Sequence, residues 1–339
     1  MRPSTSLDDV GDVRRLLLVR PNFRIGNTLL TNALVLGIHE RFPDARLEIL
    51  TGDTTTSLLA ELPIDAVHLM SRSFVRKPWE FVALFWRLRR ERFDVAIEAG
   101  FGSFSGGLYA FLTGARHRVG YEGRGARFLT VRLPRVGVDH AYDDAVVFAR
   151  ALGSSCPDRP VYRQTAVEEE DALRFLRETG LAASGEVAPF VAVFVGGHLH
   201  KRWPHDRWQA LLRRLEAEGV PLVVFVGPEE ATFAPELRAA LPASVRIVPP
   251  QSLRRFAALL ARARLLVTID SGPMHLGVAL GVPILALLQS EKSLFYRPRG
   301  EEDRSIARPS VDAAAAAVLA HPRVRSLLAP SRAVAQSSR

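Results

Sequence analysis

Short β-rich apolar runs alternate with helix-like stretches along this chain, and the alternation occurs twice. RLLLV, TLLTNALVLGIHERF, ARLEILT and FDVAIEA make the first series; PFVAVFVGG, RWQALLRRLEAEG, PLVVFVGP, SLRRFAALLARA, RLLVTID and GVPILALL make the second. Such alternation argues for a parallel sheet covered by helices. Two series predict an α/β chain of two doubly wound, Rossmann-like domains. A length of 339 residues agrees, because it exceeds one ordinary core.

Between the series, the helix-like VEEEDALRFLRETG precedes LAASGEVAP, whose small and turn-forming residues suit a hinge. The boundary is expected near Ser184. The chain then divides into a leader (1–13), an N-terminal domain with a linker helix (14–183), a C-terminal domain (184–310) and a last helix with a loose tail (311–339). The leader MRPSTSLDDVGDVRR has no apolar centre and is not a signal peptide. The longest apolar stretch, GVALGVPILALL, is too short to span a bilayer. Cys156 is the only cysteine, so no internal disulfide can form and a reducing, cytoplasmic setting follows. Forty-five basic residues against 36 acidic ones give a charge of +9, which favours anionic partners. No zinc-finger spacing, basic heptad region or ribonucleoprotein motif points to nucleic acid. Anionic lipid or a phosphorylated glycan fits the charge equally well.

Three strand ends could carry chemistry. In TIDSGPMHLGVALGVP a strand ends at Asp270, Ser271 and Gly272 turn, and Pro273 opens a helix. That helix N-terminus suits a diphosphate, with His275 in reach; the same residues also read as a plain helix cap beside a buried histidine. In VGGHLHKRWPHDRW, two glycines allow close backbone approach and Lys201 can neutralise phosphate oxygens. In VGPEE, Glu229 or Glu230 can accept hydrogen bonds from ribose hydroxyls, or simply charge the N-terminus of the following helix.

Taken together, KRWPHDRW, DSGPMHLGVALGVP and, more weakly, RIGNTLL resemble glycosyltransferase family 9, which contains bacterial ADP-heptose:lipopolysaccharide heptosyltransferases. The resemblance runs from Arg15 to about Arg308. It implies a GT-B-like fold: two Rossmann-like domains facing a central cleft, donor nucleotide on the C-terminal one and acceptor on the N-terminal one. It further implies that Lys201 contacts the donor phosphates, that Asp270, Ser271 and Gly272 receive the diphosphate beside His275, that Glu229 or Glu230 holds the ribose, and that backbone around Gln251 reads the base. The implied activity is inverting transfer of heptose, or a related sugar, from a nucleotide sugar to a lipopolysaccharide core-type acceptor. No metal or other cofactor is expected, since neither an Asp-x-Asp triplet nor a His/Cys cluster with ligand spacing occurs.

In PNFRIGN the family typically carries aspartate at the last position, read as the general base. Here it is Asn27, and an amide can orient a hydroxyl but cannot take its proton. Glu98, ending FDVAIEA, is the first substitute; Asp139 and His140 are weaker ones, and the departing diphosphate could itself accept the proton. On the acceptor side, Arg24 in the same loop and Arg124 and Arg127 in GYEGRGARF could clamp acidic sugar or phosphate groups.

SRSFVRKPWEFVALFWRLRRERF interleaves aromatic and basic residues. Helical periodicity favours packing of the aromatics on the N-terminal sheet; the alternative is peripheral docking on the cytoplasmic face of the inner membrane. Two other functions fit the sequence: a catalytically silent nucleotide-sugar-binding protein, for which Asn27 speaks, and a GT-B-like nucleotide-sugar epimerase.

Overall fold

The computed structural model describes residues 12–72, 76–183, 186–198 and 201–329. Most of the expected leader, the tail beyond 329 and the boundary residue Ser184 lie outside the described residues. The chain separates into two compact units between Arg163 and Gln164.

In the first unit, β1 (Arg15–Arg20), β2 (Arg46–Gly52), β3 (Ala66–Met70), β4 (Val95–Glu98), β5 (His117–Tyr121) and β6 (Val131–Leu133) pair in parallel in the order β3-β2-β1-β4-β5-β6. Helices α1 (Ile25–Arg41) and α4 (Asp143–Ala151) contribute to a core on one face, α2 (Pro78–Arg90) and α3 (Phe104–Leu112) to a core on the other. The run LLLV of β1 is buried on both faces because its leucines feed the two cores alternately.

The second unit begins with α5 (Ala166–Glu178) and a short hairpin, β7 (Ala182–Ala183) with β8 (Glu186–Val187). Strands β9 (Val191–Phe194), β10 (Leu222–Phe225), β11 (Arg246–Val248), β12 (Leu265–Thr268), β13 (Ile284–Leu288) and β14 (Arg304–Ala307) follow in the order β11-β10-β9-β12-β13-β14. Helices α6 (His205–Ala217), α7 (Ala234–Ala240), α8 (Leu253–Leu260), α9 (Gly272–Ala279), α10 (Val311–Ala320) and α11 (Pro322–Leu328) complete it. The two sheets thus have one topology, the doubly wound order expected from the sequence.

Two details differ from the sequence reading. Helix α5, assigned above to the N-terminal half, is part of the second unit, where three ion pairs tie it to α8 and the turn beyond: Arg254 to Glu168, Arg255 to Asp171 at 2.7 Å and Arg262 to Glu169 at 3.3 Å. The chain also continues past α10 into a second helix. Pro322 can stand only in a first turn, and His321 Nδ1 accepts the Arg323 N–H at 3.3 Å as its cap. Val324 of α11 and Ala314, Ala315 and Val318 of α10 lie in the core of the second unit.

In each sheet the order reverses beside the first strand, between β1 and β4 and between β9 and β12. Crossovers leave these pairs in opposite directions, so a crevice opens at their carboxyl ends, where such sheets bind ligands.

Candidate active site

At the reversal point of the second sheet, Val195 leads from β9 into Gly196 and Gly197. A Cβ on Gly197 would stand 2.1 Å from Ile269 Cδ1, so glycine is what lets this backbone lie against the exit of β12. The loop then presents Lys201, whose Nζ lies 2.6 Å from Asp270 Oδ2. Asp270 is only 4 % exposed, so the pair is held at the edge of the protein interior with its ammonium outward. That ammonium also faces the Tyr296 ring at 5.5 Å, and His275 meets the same ring edge-on at 6.1 Å. The structure therefore gathers Lys201, Asp270 and His275 around one aromatic side chain.

What fixes Lys201 is the rest of its motif. Trp203 and Trp208 are buried, their rings perpendicular at 5.0 Å, so KRWPHDRW acts largely as a wedge that anchors one cation. Opposite it, α9 starts at Gly272 with Ser271 as N-cap. Ser271 Oγ lies 3.3 Å from Thr268 Oγ1 and makes no capping bond, so its side chain leaves the backbone N–H groups at the positive end of this helix uncapped.

The two glutamates of VGPEE separate in role. Glu230 is 4 % exposed; it accepts the Gly197 N–H at 3.2 Å, and a Cβ on Gly196 or Gly227 would fall within 2.7 Å of its carboxylate. It is thus built into the joint between the β9 and β10 exits. Glu229 is 63 % exposed and remains available to a ligand. Arg202, which the sequence reading overlooked, binds both glutamates through Nη2, at 3.1 and 3.3 Å, and bonds the Gly197 carbonyl through Nε. Its only sequence signal is adjacency to Lys201. Gln251 lies beyond β11, its Nε2 donating to Pro249 O at 2.9 Å, so its side chain closes its own loop.

In the first unit, Arg24 is the exposed N-cap of α1, and Asn27 sits half-buried in the first turn. Asn22 Oδ1 accepts the Arg24 N–H at 3.0 Å, an Asx turn that sets the entry of the helix. Glu98 lies at the end of β4, opposite Val19 in register. It is 2 % exposed, beneath glycine: a Cβ on Gly100 or Gly106 would stand 2.2 Å from its Oε1. Its Oε2 is buried with no hydrogen-bond partner among the described residues. Burial raises its pKa to about 7, against the pull of Arg20 and the Gly102 and Gly100 backbone donors, while Asp144 pushes it further up. Burial raises Asp144 as well, although Tyr121 and Arg135 draw it down. This cluster of Arg20, Tyr121, Arg135 and Asp144 around Glu98 had no signal in the sequence, because its members come from four separate segments.

Asp139 is exposed; His140 is buried, its Nδ1 accepting the Tyr142 N–H at 3.1 Å. Arg124 and Arg127 are exposed on a loop whose Gly125 N–H bonds Gly102 O at 3.2 Å, and Arg127 lies 4.9 Å from the rings of Phe104 and Phe128. Among the described residues, no group of three His, Cys, Asp or Glu is placed to hold a metal ion.

The family model described as glycosyltransferase family 9 (heptosyltransferase) matches residues 81–316. Lipopolysaccharide heptosyltransferase 2 of Escherichia coli K12 is 24% identical over 310 residues, covering 86% of this chain and 87% of that protein. Among solved structures, a family 9 glycosyltransferase from Veillonella parvula superposes with a TM-score of 0.74 at 19% identity, over 89% of this chain and 87% of its own. The ADP-heptose lps heptosyltransferase II of E. coli does so with a TM-score of 0.67 at 23% identity, over 92% and 98%. These likenesses establish the GT-B-like fold.

Proposed function

The chain belongs to glycosyltransferase family 9, and from that premise we propose that it moves heptose, or a related sugar, from ADP-heptose or a similar nucleotide sugar to a lipopolysaccharide core-type acceptor, with inversion. The observation that carries this reading is the Lys201–Asp270 pair beside the uncapped start of α9. Breaking the bond from the anomeric carbon to the diphosphate puts positive charge on the sugar and negative charge on the leaving group. A fixed ammonium and a helix N-terminus stabilise that negative charge as it develops. Asp270 orients Lys201, Glu229 takes the ribose hydroxyls, and Arg202 holds Glu229 in place. A nucleotide-sugar donor puts the reaction in the cytoplasm.

As the bond to the diphosphate breaks, the acceptor oxygen bonds to the anomeric carbon, and its proton must leave. Asn27 can position the hydroxyl but cannot take the proton. Glu98 is the group matched to the task, because a base works best when its pKa lies near the working pH. Its cover of glycines makes the contact indirect, through water or through displacement of the Gly100–Gly106 loop.

Calorimetry and turnover test this together. Replacing Lys201 and Asp270 with alanine is expected to weaken ADP binding at least tenfold, about 1.4 kcal/mol. Unchanged ADP affinity would refute the donor site. ADP-heptose binding with no product from a core acceptor, unimproved by Asn27→Asp, would instead identify a silent binding protein.

A further inference from the structure

Helix α2 has two apolar faces, and the sheet uses only one. Leu84, Phe85 and Leu88 point into the core, where Phe81 and Phe85 also pack against Tyr109 of α3 at 5.8 and 5.5 Å. At 100° per residue, Trp79, Val82 and Trp86 fall within about 60° of one another on the opposite side. All three are exposed, Trp79 at 64 % and Trp86 at 54 %. The sequence favoured packing of all these aromatics on the sheet; the phenylalanines do pack there, and the tryptophans do not. Exposure of indole to water is not what a folded surface favours, so a contiguous stripe of this kind marks a contact site.

The charge around the stripe selects the partner. Residues 76–92 hold six lysines and arginines against two glutamates. Both glutamates are occupied: Glu80 lies 3.0 Å from Lys77, and Glu91 pairs with Arg15. Arg90 lies over the Trp86 ring at 3.5 Å, which places a guanidinium at the level of the indole. A cleft of about 260 Å³ opens beside the helix, lined in part by Leu69, Ala83 and Arg87. Tryptophan rings interleaved with arginines on a helix lying flat on its domain match the interface of an anionic bilayer, where indoles sit among headgroups and guanidinium groups meet phosphates.

We propose that α2 docks this protein on an anionic membrane surface, with Trp79, Val82 and Trp86 entering the headgroup region and Arg87, Arg89 and Arg90 engaging lipid phosphates. A protein partner or a second copy would call for acidic groups or an apolar seat complementary to the stripe, and the density of unpaired positive charge favours lipid. The docking is independent of the transfer chemistry proposed above, and neither stands or falls with the other.

Vesicle binding tests it with the full chain. The tryptophans divide evenly, Trp79 and Trp86 exposed and Trp203 and Trp208 buried, so intrinsic fluorescence reports the stripe. On vesicles of phosphatidylglycerol and phosphatidylcholine, the exposed pair is expected to shift to the blue and to be quenched by brominated acyl chains; pure phosphatidylcholine should give little of either. Trp79→Ser/Trp86→Ser should lower partitioning at least tenfold without changing ADP affinity, and an unchanged urea unfolding transition of the first unit shows that the variant is folded. Arg87→Gln/Arg89→Gln/Arg90→Gln should lower it by at least as much, at roughly fivefold per charge. Equal binding to the two vesicle types, or unaltered binding by the tryptophan variant, overturns the proposal. So does a wild-type dimer in sedimentation that the tryptophan variant converts to monomer, since the stripe would then join two copies.

Discussion

Replacing Glu98 with glutamine should make the first unit more stable at neutral pH while leaving its stability at acid pH nearly unchanged. The folded carboxyl titrates near 7 and the unfolded one near 4.5. A raised carboxyl pKa means that the native state binds the proton more tightly, so stability is highest below 4.5 and falls as pH rises towards 7. At about 1.36 kcal/mol per pH unit, the whole interval corresponds to about 3 kcal/mol. Between pH 5 and pH 8 the wild type should lose roughly 2–3 kcal/mol relative to the variant, because part of the loss is already complete at pH 5. Little solvent screening applies, since Glu98 is 2 % exposed. Glutamine keeps the shape and can still accept the Gly100 and Gly102 N–H groups, so the comparison isolates the charge. Urea unfolding at the two pH values, read by pulsed hydrogen exchange on peptides of β1 and β4, gives the difference directly. A gap that stays constant across this range would show that Glu98 is ionised in the native protein at pH 5, and would remove it as a base suited to neutral pH.

Gly106→Ala sets two effects against each other. Alanine favours the helix by up to about 1 kcal/mol, but its Cβ would meet the Glu98 carboxylate, and overpacking of this kind costs about 1–3 kcal/mol. Net destabilisation is expected in the wild type and net stabilisation in a Glu98→Ala background; the same sign in both, measured by thermal melting, would mean that the glycine is not there to make room for Glu98. Glu48 behaves in the opposite way to Glu98. Burial pushes its carboxyl up, yet hydrogen bonds from His68 and Arg15 outweigh burial and hold it below 4.5. Its contribution is therefore present above pH 4.5 and lost as the pH falls through the depressed value. Glu48→Ala should cost about 1–2 kcal/mol at pH 7 by removing the charge-assisted hydrogen bonds from Arg15 and His68, and the gap from the wild type should narrow under acid unfolding conditions. A gap that widened in acid would contradict the assigned charge state.

The central strands β1, β4, β9, β10, β12 and β13 were legible because each is a largely continuous apolar run, as a parallel sheet covered on both sides demands; β3, β5, β6, β11 and β14, short or interrupted by polar residues, were not. The doubly wound arrangement was legible too, since β–helix alternation with crossovers leaves few topologies. The site was legible where function and local sequence coincide, as in Lys201 and Asp270, each set beside a turn at a strand end. It was illegible where a role depends on burial. Glu229 and Glu230 are adjacent and identical, and only the packing of Gly196 and Gly227 shows that one is a structural joint and the other is open. Trp79 and Phe85 are both aromatics on one helix, and only the three-dimensional packing separates the docking stripe from the core. The packing of α5 against α8 and the presence of helix α11 were not legible for a similar reason: ion pairs to α8 and a histidine cap act in ways that local periodicity does not register.

The two sheets share one strand order, and each carries a carboxylate beside its reversal point, Glu98 as the last residue of β4 and Asp270 just beyond β12. Their environments set them apart. Asp270 has an ammonium at 2.6 Å and serves to hold that cation in place. Glu98 has glycines above it, an arginine that only partly offsets its burial, and a pKa of about 7. This difference bears on Asn27. A carboxylate in the first turn of α1 would be stabilised by the helix N-terminus and would titrate low, which makes it a weak base at neutral pH. A carboxylate that titrates near 7 is better matched. If Glu98 receives the proton, the pH–rate profile of Asn27→Asp keeps its inflection near 7, and Glu98→Gln removes that inflection. If the restored aspartate takes over, the inflection moves to acid pH and Glu98→Gln leaves the rate of the double variant unchanged, which would exclude Glu98 from the chemistry.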